Sequence, residues 1–265
     1  MELYAYISLQ CFVEGCDRHS SEQQLTLTAG NLFYTIPRHD FYYGLSLLRN
    51  AIGIYETRKH IPLSQSKQRV YFFRQGKWKL VGPEMDIYML SLYENEAYVP
   101  EWLPYIHEPY LKLAFDYETL AEHCLLENMF LVRCKYDEKQ ITQTFADQME
   151  REYDKFFFDE EHTGFTADSR FFSLMCNACL EVKEPRLAAE KEWRLAVLRN
   201  SSDVDYRYAD GRLEPTVPLS LPLASIRKVT LFDRGDDNEL NLSALADFMQ
   251  CLGLPPERYL DGMIE

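Results

Sequence analysis

Glu190-Lys191-Glu192-Trp193-Arg194-Leu195-Ala196-Val197-Leu198 is the stretch from which the rest of the chain can be oriented. An apolar run of this length with a charged start predicts a strand over Glu192 to Leu198. If the strand opens at Glu190, alternation sends Glu190, Glu192 and Arg194 to one face and Trp193, Leu195 and Val197 to the other. Same-face neighbours then stand ~7 Å apart, twice the rise per residue. Two carboxylates so placed repel and raise one pKa, whereas a guanidinium beside them favours the ionised form. Glu190, Glu192 and Arg194 therefore form a candidate acid/base and anion-orienting set. The same pattern also fits a solvated strand face with a cross-strand ion pair.

Working outward, Leu3, Ala5 and Ile7 alternate with Tyr4, Tyr6 and Ser8, as in a strand with one face in the core. Phe41, Leu45, Leu48 and Ile52 mark a helix that Asp40 could cap. Val70 to Phe73 and Trp78 to Val81 flank Arg74-Gln75-Gly76-Lys77 as a hairpin. Ile87 to Tyr93 reads as a central strand, and a short aromatic helix follows around Trp102 and Tyr105. Leu111 to Phe115 and Met129 to Tyr136 read as strands around a helix from Tyr117 to Leu126. Ile141, Phe145, Met149, Tyr153 and Phe156 predict one long amphipathic helix, and Phe172, Met175 and Cys179 a second. Strands return in a hairpin around Asp210-Gly211 and over Ile226 to Phe232. A last helix carries Leu245, Phe248, Met249 and Leu252 and stops at Gly253. The expected fold is α+β, with mixed or antiparallel central sheets and a helical insertion. It forms one domain over 1–265, in which 139–182 could be a helical subdomain.

The 265 residues are 46% hydrophobic, with 18 Tyr and 16 Phe, which suffices for a large core. A net charge of -14 repels phosphate backbones, so direct DNA binding is not expected. No apolar run approaches the ~20 residues needed to span a bilayer. Seven scattered Cys and no signal-peptide pattern predict reduced thiols in a cytoplasm.

Ser91-Leu92-Tyr93-Glu94-Asn95-Glu96, followed by Trp102 and Tyr105, offers carboxylates at a strand end and aromatics that could stack on a planar ring. It could equally be an acidic loop with a helix anchored by Trp102. Cys176-Asn177-Ala178-Cys179 has half a zinc-knuckle spacing without a second half, and reads as two buried thiols on a helix. No His pair, P-loop, GxGxxG or GxSxG is present, and no metal is predicted.

These segments, in this order, resemble an uncharacterised bacterial family, domain of unknown function 2971. Leu3 to Ser8 takes the place of its opening "lyHYTS" strand, with Ala5 and Ile7 where the pattern has His and Thr. Pro37-Arg38-His39-Asp40 is the nearest counterpart of its "NDPfE" turn. Tyr88 to Glu94, Trp102, Tyr105 and Leu113 to Asp116 follow its middle pattern. Val132 to Asp137 fits the next strand, and Glu190 to Leu195 its "E.EwR" motif. The resemblance implies an ADP-ribosyltransferase-like fold that cleaves NAD as co-substrate, in a bacterial or phage-borne effector or defence protein. Glu190 or Glu192 would stabilise the oxocarbenium ion, and Arg194 would order the carboxylates. Tyr4, Tyr6, Ser91, Trp102 and Tyr105 would line the NAD pocket. The rival expectation is a non-catalytic interaction module whose acidic face binds a basic protein partner.

Overall fold

The computed structural model describes residues 1–16, 23–68, 73–74, 77–80, 84–101, 103–105, 108–157, 166, 169–209 and 211–264. The chain opens with β1 (Glu2–Ser8), α1 (Leu9–Gly15), β2 (Gln24–Asn31), α2 (Leu32–Thr35) and α3 (Arg38–Arg58). Two short strands, β3 (Phe73–Arg74) and β4 (Lys77–Trp78), pair with each other before β5 (Met85–Tyr93). Then come β6 (Tyr110–Asp116), α4 (Tyr117–Leu126), β7 (Phe130–Arg133), α5 (Glu138–Phe157) and α6 (Arg170–Glu181). The final part holds β8 (Glu192–Asn200), β9 (Asp205–Ala209), β10 (Arg212–Pro222), β11 (Ile226–Phe232), α7 (Asn238–Cys251), α8 (Pro256–Tyr259) and β12 (Leu260–Ile264).

The main sheet runs β12-β11-β6-β1-β5-β2-β10-β9, with β8 added to β5 and β7 to β8. Among the described strands only β11 and β12 pair in parallel, so the sheet is mixed and the fold α+β. On one edge of β5, β8 pairs over the full length, from Met85↔Asn200 to Tyr93↔Glu192. The other edge is shared: β1 meets it at Tyr4↔Tyr93, and β2 at Gly30↔Met89 and Asn31↔Tyr88. Between these contacts Leu90, Ser91 and Leu92 face no strand on that edge among the described residues, and the sheet forks. This fork creates the space in which the site lies.

The two sheet faces bury different clusters. Leu3, Ala5 and Ile7 pack with Leu195 and Val197 and with Phe12, Leu120 and Met249 of α1, α4 and α7. Ala196, Ile87 and Met89 instead meet α3, α5 and α6. In α5 the stripe Ile141, Phe145, Met149, Tyr153 and Phe156 is wholly buried, each side chain contributing about 1.5–3 kcal/mol before entropy is subtracted. That stripe is what holds 138–157 against α3.

β10 contains Pro215, Pro218 and Pro222, which ordinarily argue against a strand. It divides its length between two partners: Arg212 to Thr216 pair with β9 and Thr216 to Pro222 with β2. Among the described residues each proline therefore sits where only one edge is paired, which leaves the other edge to accommodate a residue without an N–H.

Asp40 does not cap α3. The cap position is Pro37, and Asp40 lies buried in the first turn. Farther along α3, a Cβ on Gly44 would stand 1.8 Å from the Ala178 carbonyl oxygen, so α3 and α6 cross with backbones touching. Helix propensity alone favours alanine over glycine by about 1 kcal/mol. Overpacking against a backbone that cannot retreat costs about 1–3 kcal/mol, and the net effect should be a loss. Gly44→Ala is therefore expected to lower the urea midpoint with m unchanged. A gain in stability would mean that the helices are not in this contact.

Candidate functional site

β8 starts at Glu192, two residues later than a strand opening at Glu190 requires. Pro185–Glu190 forms a 3-10 helix with Pro at its start, and Lys191 reverses the chain with a left-handed φ of 45°. Glu190 is thus off the strand, which corrects its placement on one strand face with Glu192 and Arg194. The two carboxylates still meet, through Lys183. Its ammonium bonds the Glu190 carboxylate and lies 2.6 Å from Glu192 Oε2.

Glu192 is enclosed on every side. Ser91 Oγ donates to Oε1 at 2.6 Å. Arg194 donates from Nε to Oε1 at 3.2 Å and from Nη2 to Oε2 at 3.3 Å. Burial by itself would raise this carboxyl, but the Arg194 guanidinium and then the Lys183 ammonium overcome it and hold it at about 2. Burial would likewise lower the Lys183 pKa, and Glu192 with Glu190 reverses the sign so that it is raised.

Arg194 is fully buried. Its Nη1 donates to the Cys179 and Leu180 carbonyls at 2.8 and 3.0 Å, which belong to the last turn of α6. A guanidinium there satisfies carbonyls that the helix end leaves unpaired. Arg194 consequently positions Glu192 and anchors α6. It does not line the cleft that opens above this group, and of the two carboxylates it bonds Glu192 and not Glu190, a placement that fits a positioning role and not contact with a ligand.

Above this group the fork opens into a cleft of about 630 Å³, within the usual range for small-molecule sites. One wall is aromatic. The Tyr6 and Tyr93 rings meet edge-on at 6.2 Å, Tyr93 and Tyr98 lie 4.7 Å apart, and Tyr6 Oη donates to the Tyr98 carbonyl at 2.5 Å. Burial pushes the Tyr6 hydroxyl up to about 12; burial and then the Glu190 carboxylate push Tyr98 up as well. Ser91, Glu190 and Glu192 line the same space, as do Pro37, His39 and Asp40 from the start of α3, and Arg186 and Arg207.

Of the residues singled out by sequence, Tyr6, Ser91, Glu190 and Glu192 share this cleft. Tyr4 does not line it: its hydroxyl donates to Glu2 and the Lys112 ammonium sits 5.7 Å from its ring. Tyr105 is 81% exposed on a 3-10 turn outside the cleft lining, so it does not wall the pocket. Trp102 lies outside the described residues, as do Val70 to Phe72, Gln75, Gly76 and Val81 of the expected hairpin. Lys183 and Tyr98 were not expected. A lone Lys and a Tyr in a polar stretch carry no local signature, and only the tertiary fold brings them to Glu190. Cys176 and Cys179 are buried on α6 among apolar side chains, as a pair of helix-face thiols should be. Among the described residues no helix is long and apolar enough to cross a membrane.

No protein-family model matches the chain, no curated protein matches it, and no solved structure does.

Proposed function

We propose that the fork cleft binds NAD and breaks its nicotinamide–ribose bond, passing ADP-ribose to a macromolecule or to water on an ADP-ribosyltransferase-like scaffold. The observation that carries this reading is the convergence of Glu190, Glu192, Ser91 and the Tyr6–Tyr93–Tyr98 wall on one concave space. In the reaction the C–N bond breaks with its electron pair on nicotinamide, which leaves neutral. The positive charge left on the ribose needs a fixed carboxylate in a water-poor cleft. A hydroxyl then adds to that carbon and loses its proton.

Glu190 is the better placed of the two acids. Its side chain keeps 16% of its surface open, against 3% for Glu192, whose oxygens are already engaged by Ser91, Lys183, Arg194 and the Cys134 thiol. Glu190 is assigned to the developing cation, and Glu192 holds Lys183 and so Glu190 in position. The aromatic wall supplies a face for the planar ring. With Ala5 and Ile7 in place of polar first-strand residues, the cations left to meet the pyrophosphate are Arg186 and Arg207.

Incubation of the protein with NAD should release nicotinamide, and Glu190→Gln should slow release by about 100-fold or more. NAD should also raise the melting temperature, because a ligand of the folded state stabilises it. Absence of both release and stabilisation would overturn the reading. The cleft would then be part of an acidic interaction module, and capture of a basic partner by the wild-type protein would be the assay to run next.

A further inference from the structure

At the cleft lining, the start of α3 and the turn after α6 bring together a frustrated cluster. His39, Asp40 and Glu184 each place a ligand atom within 4.8 Å of the other two. Asp40 is 3% exposed, and its Oδ1 accepts no hydrogen bond although it lies buried on the cleft side of α3. An unpaired buried carboxylate oxygen costs free energy unless something positive meets it.

The neighbouring atoms cannot satisfy it by themselves. His39 Nε2 stands 3.3 Å from Asp40 Oδ1 and 2.7 Å from Arg186 Nη2. The guanidinium has only donors, so Nε2 must present its lone pair to Arg186. That lone pair then leaves nothing to donate to Asp40 Oδ1. A proton on Nε2 would serve Asp40 but would confront the Arg186 N–H. Either way one contact is left as a mismatch. Arg186, 61% exposed, also bonds Glu184 and so occupies the middle of the cluster as a cation on a flexible stem.

We propose that His39, Asp40 and Glu184 form a binding site for a divalent transition-metal ion of the zinc class, which Arg186 vacates when the ion enters. Metal–nitrogen and metal–oxygen bonds of about 2.0–2.2 Å span about 3.3 Å between two ligand atoms of a tetrahedron. The His39–Asp40 separation already has this value. An imidazole with two carboxylates suits zinc better than magnesium, which prefers oxygen and water. The ion gives Asp40 Oδ1 its missing partner, ends the mismatch at Nε2 and leaves a fourth position facing the cleft. A ligand set drawn from the start of α3 and the turn after α6 leaves no local spacing pattern in the sequence, unlike paired histidines on one helix. The site does not depend on the NAD reading, and its test does not use NAD.

Calorimetric titration of the apo-protein with Zn²⁺ and with Mg²⁺ should show one Zn²⁺ per chain and no comparable Mg²⁺ binding. His39→Gln, at a half-open surface position, should weaken Zn²⁺ by about tenfold or more, as expected for loss of a ligand. Arg186→Ala should tighten it by about tenfold, because it removes a competing cation; a role for Arg186 in structure alone predicts no such gain. Co²⁺ in place of Zn²⁺ should give a spectrum without a thiolate-to-metal band, which separates this site from the exposed thiols of Cys11 and Cys251. The proposal is overturned if the wild type does not bind Zn²⁺ saturably. Binding that His39→Gln leaves unchanged, or that shows the thiolate band, overturns it equally.

Discussion

Arg194→Met should cost the fold about 3–5 kcal/mol, the range found when one partner of a buried ion pair is removed. For a chain of this size that is a fall of roughly 10 °C in melting temperature. Methionine fills much of the same space, so the loss is one of charge and hydrogen bonding, not of volume. Glu192 keeps Lys183 and Ser91 but loses the guanidinium that spans both its oxygens. The Cys179 carbonyl loses its Arg194 donor, and the Leu180 carbonyl keeps only the weak Cys134 thiol at 3.7 Å. Adding Glu192→Gln should recover part of the loss, since the charge left unpaired is then gone; the two substitutions share one network and should not add. Urea denaturation with m checked for constancy measures both. A single-variant loss below about 1 kcal/mol, or strict additivity, would show that Arg194 is not the anchor described.

Helix and strand positions were most legible where apolar periodicity is strong and caps are local. The α4 and β11 boundaries coincide with the ranges expected from sequence, and the whole α5 stripe is buried as its spacing predicts. Other elements were not, among them the short helices α1, α2 and α8 and parts of the sheet. β2 carries a period-two signal in Leu25, Leu27 and Ala29 against Thr26 and Thr28, yet it is missing from the expected strands. The start of β10 is the second arm of the hairpin expected around Asp210-Gly211, but its continuation to Pro222 hides behind three prolines and was not expected. β12 follows a helix stop and Pro255-Pro256, where chain direction depends on contact with β11. Along Met129 to Tyr136 the strand ends at Arg133, because Lys135 turns to bridge Val182.

The site was legible as residue types but not as an arrangement. Alternation put Glu192 and Arg194 on one face correctly and Glu190 wrongly, since a left-handed lysine at 191 leaves no mark in a sequence. The group that joins the acids, Lys183, belongs to the turn after α6 and gains its meaning from Arg194 holding that helix end in place. The fork itself follows from two strands sharing one edge of β5, a property of topology that no local pattern encodes.

Two carboxyls should give the stability a maximum between neutral and strongly acid pH, because they act with opposite sign. Asp86, on β5, is pushed up to about 7 from its usual 3.8, first by burial and then by Glu84. Between those values the folded state holds more protons than the unfolded chain, so stability rises as pH falls from about 7 toward about 4. Glu192 does the reverse. Its folded pKa of about 2 lies below the usual 4.5, so its contribution is complete above about 4.5 and is lost as pH falls toward about 2. The size of that depression corresponds to about 3 kcal/mol. Glu192→Gln mimics the protonated acid. Its penalty, measured by urea unfolding, should be about 3 kcal/mol at pH 7 and shrink toward zero near pH 2. Asp86→Asn should stabilise the protein at pH 7 and be neutral near pH 4. A Glu192→Gln penalty that stays constant across this range would mean that the carboxylate is not held ionised by Arg194 and Lys183, and the account of the cleft floor would fall with it.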